Sequence, residues 1–81
     1  MAGRTSVRLD LARPARGTLA VFDPAGRRVA LLRQGAFAAG HTSLPWNGRS
    51  DQGGALGSGI YFVRFSAPGL RTQVVRVTIV R

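Results

Sequence analysis

The chain has 81 residues, with 12 basic and 3 acidic side chains and a net charge of +9, and every basic residue is arginine. It has no Cys, no Lys and a single His, which excludes disulfides, thiolate zinc sites, cysteine nucleophiles, Schiff-base lysines and histidine clusters. One domain of this size buries roughly 60–65% of its unfolded surface, and no apolar run is long enough for a membrane helix.

Residues 1–4 are expected to form a disordered tail and residues 5–81 a single domain, and residues 1–8 lack the apolar core of a signal peptide. Residues 5–11 alternate cleanly, with Val7, Leu9 and Leu11 on one face and Arg8 and Asp10 on the other, so they read as a half-buried strand. Pro14 and Gly17 then interrupt the pattern. Residues 18–22 set Leu19 and Val21 against Ala20 and Phe22. Asp23-Pro24-Ala25-Gly26 carries the favoured residues of a type I turn. Residues 27–33 return with Val29 and Leu31 opposing Ala30 and Leu32, giving a hairpin apolar on both faces, as central strands are.

Residues 34–40 read as a loop whose Phe37 plugs the edge of the core. In residues 41–46, Thr42, Leu44 and Trp46 share a face, and Pro45 confines that strand to an edge. Residues 47–59 form the longest irregular stretch, with five glycines. Residues 60–66 oppose Tyr61, Val63 and Phe65 to Ile60, Phe62 and Arg64. A Pro68-Gly69 turn leads to a last strand within 71–80, where Val75, Val77 and Ile79 oppose Val74, Arg76 and Thr78. Strands recur with turn signals about every 8–12 residues and nothing shows helical period, so the fold expected is all-β. The layout is an antiparallel β-sandwich of about six to seven strands, Ig-like or fibronectin III-like.

Three stretches carry a resemblance: residues 21–29 around Asp23, Gly26 and Arg27; residues 39–54 with Gly40, Trp46-Asn47-Gly48 and Gly53; and residues 58–65 with Gly59-Ile60-Tyr61. In this order and spacing, over roughly residues 7–81, they resemble the FlgD/Vpr-type Ig-like domain of the flagellar hook-capping protein. They are similar also to the C-terminal sorting domains of type IX secretion cargo. The resemblance implies a non-enzymatic structural or interaction module, the C-terminal domain of a larger exported bacterial protein that acts in secretion sorting, surface anchoring or assembly. It implies an extracellular, cell-surface or periplasmic location. The partners it implies are other protein domains or secretion machinery, met through sheet edges or exposed faces. Asn47 stands where the family commonly has Asp, and Arg71, Arg76 and Arg81 stand where the sorting domains commonly carry lysines.

Each motif residue also has a local physical role. Asp23 can accept backbone N–H bonds within its turn, and Gly26 permits positive φ. Trp46 is the expected large core anchor, with an indole N–H that needs a partner. Asn47-Gly48 turns the chain, and Gly59 opens a strand where a backbone passes close to a neighbour.

Candidate chemistry is sparse. His41, Ser43 and Asp51 are the residue types of a nucleophilic triad, but a polar strand face accounts for the first two and a loop for the third. Asn47, Arg49 and Asp51 have the spacing of a calcium loop, yet there is no Glu and an arginine sits among them. The glycines of 53–59 precede no helix and no lysine, unlike a phosphate loop. No catalytic, cofactor or metal residue is therefore assigned. The binding signal lies in the arginines. Arg8, Arg64 and Arg76 fall on polar strand sides and could form a stripe, while Arg27 and Arg28 flank the hairpin turn. They are the candidate polyanion contacts of an alternative reading, a small basic nucleic-acid-binding or polyanion-binding β domain. Nucleic acid is not the partner expected first, because Phe22, Tyr61, Phe62, Phe65 and Trp46 belong by pattern to strands and core and are not free to stack on bases.

Overall fold

A computed structural model describes residues 5–80, with Thr5 described by its backbone alone; the tail expected at residues 1–4 and Arg81 lie outside the described residues. The strands are β1 (Thr5–Leu11), β2 (Ala15–Phe22), β3 (Arg28–Phe37), β4 (Gly40–Trp46), β5 (Gly59–Ser66) and β6 (Gln73–Ile79). They form two antiparallel sheets, β1-β4 and β3-β2-β5-β6, packed as a sandwich.

Alternation builds the interior. The β1-β4 sheet contributes Val7, Leu9, Leu11 and Trp46, all buried. The larger sheet contributes Leu19 and Val21 from β2, Phe37 from β3, Val63 and Phe65 from β5, and Ile79 from β6. The Phe37 and Phe65 rings meet edge to face, with centroids 5.0 Å apart. That geometry sets the positive ring edge against the negative face.

The first hairpin departs from its expected form in two ways. It is longer: Ala15 pairs with Phe37, Gly17 with Gly35 and Thr18 with Gln34, so residues 34–37 are strand rather than loop. Small residues at 35 and 36 carry no alternation to read, but their backbones pair all the same. The hairpin is also not central on both arms, since β3 is an edge strand. Its second apolar face has another origin. Register shifts between Leu19 and Ala20 and between Val21 and Phe22 bulge β3, and Val29, Ala30 and Leu32 all reach the core while Leu31 does not.

Candidate functional site

The Asp23–Gly26 turn is closed by Gly26 N–H donating to the Asp23 carbonyl at 2.9 Å. The Asp23 carboxylate accepts from the Arg27 backbone N–H at 2.9 Å and from the Arg27 Nε at 3.1 Å. That backbone bond is the first cause holding the Asp23 carboxyl below its ordinary pKa, since it stabilises the ionised form.

Trp46 is buried, donates its indole N–H to the Arg49 carbonyl at 3.2 Å and lies edge-on to Tyr61, with centroids 6.4 Å apart. The Tyr61 hydroxyl donates to the Gly57 carbonyl at 2.9 Å. Trp46 and Tyr61 thus join the two sheets and tie both to the long loop.

Inside that loop the supposed calcium set disperses. Asn47 Oδ1 accepts from the Arg49 N–H, Arg49 Nη1 donates to the Gly53 carbonyl, and Asp51 Oδ1 accepts from the Leu31 N–H. These side chains serve separate backbone bonds and do not converge. Gly48 and Gly53 turn the loop, and Leu56 N–H donates to the Gly48 carbonyl at 3.0 Å. Gly40, also at positive φ, opens β4 opposite Leu11.

Gly59 is not a close-approach position. Nothing lies within 4 Å of where its Cβ would stand, and its requirement is a φ of +151°. The close approach is at Gly17, where an added Cβ would meet the Ser66 carbonyl oxygen at 2.6 Å and the Phe65 ring at 2.7 Å.

The triad residues separate too. Asp51 is bound to β3. The acid that meets His41 is Asp10, its cross-strand partner on β1, with His41 Nδ1 bonded to Asp10 Oδ1. Arg8 Nε lies 3.2 Å from the same carboxylate, and Arg8 Nη2 is 2.9 and 3.1 Å from the two imidazole nitrogens, so it lies against the ring. The His41 bond, then the Arg8 bond, lowers the Asp10 pKa. Ser43 faces Arg8 across the ladder, and among the described residues no hydrogen bond joins it to His41. All these side chains are exposed. They form a solvent-exposed ion cluster on the outer face of the β1-β4 sheet, where water has free access.

The stripe of Arg8, Arg64 and Arg76 does not form. Arg8 points outward from the β1-β4 sheet, whereas Arg64 and Arg76 point outward from the opposite sheet, on the far side of the sandwich.

Two aromatics are not in the core as expected. Phe22 and Phe62 are half-buried on the outer face of the large sheet and pair with each other across β2 and β5. Arg28 pairs with Phe22 on one side and Arg76 with Phe62 on the other, so one row across the sheet reads Arg28–Phe22–Phe62–Arg76. The next row is Leu31–Ala20–Arg64–Val74, and the Arg64 guanidinium lies over the Phe22 ring, 3.9 Å from its centroid.

This architecture is that of an Ig-like module, and among the described residues no polar or charged side chain is buried within it. The FlgD Ig-like domain family model matches residues 1–69, ending before β6, and the chain belongs to that family. Among solved structures it is similar to PorZ, an essential bacterial surface component of the type IX secretion system of Porphyromonas gingivalis. The identity is 26% and the TM-score 0.55, over 83% of this chain and 8% of the PorZ chain. The chain thus spans a small part of that protein's length. No curated protein matches it.

Proposed function

We propose that this chain is a non-enzymatic interaction module of an exported bacterial protein, occupying its C-terminal region and serving secretion sorting, surface anchoring or assembly. Membership of the FlgD Ig-like family, together with similarity to part of PorZ, is the observation that carries the reading. The surface chemistry agrees with it. The described polar groups lie outside the core, where they serve turns, ladder edges and surface pairs. The module works through its surfaces. At the edge of the large sheet, β6 exposes Val74 and Val75 and pairs only with β5 among the described residues, which suits a partner strand that adds by backbone hydrogen bonds. The test is to fuse the full chain to a reporter behind a signal peptide in a host with a type IX system. The reporter is expected at the cell surface, and retention in the periplasm counts against the sorting role.

A further inference from the structure

Resting on the reading of this chain as an interaction module, we propose that the outer face of the large sheet docks an acidic protein surface that presents an apolar side chain at its centre. The Arg28–Phe22–Phe62–Arg76 row crosses four strands, a width of about 14 Å at ordinary strand spacing. Its middle is apolar and its ends are cationic, which is the layout of a protein interface with an apolar centre and a polar rim.

Among the described residues the charges on this face have no ion-pair counterpart. The sequence holds three aspartates and no glutamate. Asp10 is engaged by Arg8 and His41, Asp23 by Arg27, and Asp51 by the Leu31 N–H. Among the described residues none of Arg28, Arg64 and Arg76 joins an ion pair, so the face offers three unpaired guanidinium groups to an acidic partner.

Arg64 is already oriented to receive it. Stacked on Phe22, its guanidinium has lost freedom before any ligand arrives, while its N–H edge remains able to donate to a carboxylate in fork geometry. Beside it, Phe22, Phe62, Arg64, Val74 and the Asp23–Gly26 turn enclose a depression of about 210 Å³, room for one large apolar side chain.

The test uses a random glutamate–tyrosine copolymer as the acidic probe, polyglutamate as the apolar-free control and oligothymidylate as the nucleic-acid competitor. Binding to the isotope-labelled full chain is followed by amide NMR shifts. The copolymer is expected to move the amides of Phe22, Arg28, Phe62, Arg64 and Arg76 and to bind more tightly than polyglutamate. Arg28→Glu with Arg76→Glu is expected to weaken it about tenfold or more, equivalent to ~1.4 kcal/mol. Arg13→Glu with Arg71→Glu, an equal charge change away from the row, is expected to leave those shifts in place. All four arginines are exposed, so these variants keep the core intact. The proposal is overturned if both double variants lose binding equally, if polyglutamate binds as well as the copolymer, if oligothymidylate displaces the copolymer from these amides, or if the copolymer does not bind this face. Should the reporter fusion reach the surface while the copolymer is ignored, this inference fails and the module reading stands.

Discussion

The carboxylate of Asp51 accepts the backbone N–H of Leu31 at 2.8 Å, while the Asp51 N–H donates to the Val29 carbonyl at 3.1 Å. One loop residue thereby imitates a strand along the outer edge of β3, its side chain standing in for a carbonyl. The contact satisfies edge groups that would otherwise invite another chain. Asp51→Ala is expected to cost about 1 kcal/mol, the typical worth of one hydrogen bond. Amide exchange should speed up at Leu31 and not at Val21 in the core. Unchanged protection at Leu31 would mean that the bond does not hold this edge.

Trp46 joins the sheets through Tyr61 and fixes the long loop through the Arg49 carbonyl. It is 4% exposed, so Trp46→Ala removes a large side chain from a packed interior and should destabilise the domain by ~3–5 kcal/mol in a denaturant titration. Red-shifted, readily quenched fluorescence from the native protein would contradict this burial.

Gly17 and Gly57 make a controlled pair. At Gly17 a methyl group meets backbone oxygen and a buried ring, so Gly17→Ala should cost ~1–3 kcal/mol through overpacking. Gly57 has nothing within 4 Å of the corresponding position, and Gly57→Ala should leave the thermal midpoint close to the parent value. Equal effects at the two sites would refute the close approach of β2 to Phe65.

The pH dependence follows from Asp23 and Asp10. Both folded pKa values are lowered, the first mainly by the Arg27 N–H and the second mainly by the His41 bond. Their ionised forms therefore stabilise the fold above the ordinary aspartate value of 3.8, and this contribution is lost as the pH falls through the lowered folded values. Asp23→Asn with Asp10→Asn should flatten the loss of stability below about pH 4. Parallel acid curves for parent and variant would show that these bonds make no difference.

Most of the strands were legible because alternation is local: β1, β4 and β5 show their buried faces in the sequence as Val7-Leu9-Leu11, Thr42-Leu44-Trp46 and Tyr61-Val63-Phe65. Pairing is less local. Asp10 and His41 lie on polar strand faces far apart in the chain, and only the β1-β4 register brings them together. The bulges in β3 hid Leu31 on the outer face, since an extra residue reverses the alternation without any mark in composition. The same limit hid the Arg–Phe–Phe–Arg row. Phe22 and Phe62 read by pattern as belonging to strands and core, whereas their place on the outward positions of β2 and β5 depends on which face the other sheet covers.

The most direct measurement is protease accessibility of a reporter fused to the full chain on intact cells of a type IX-competent host. If the module directs export, the reporter will be cleaved at the surface, and Trp46→Ala, which breaks the sandwich, will leave it protected. A parent fusion whose Ig-like domain is folded yet remains protected inside the cell envelope would contradict the sorting role.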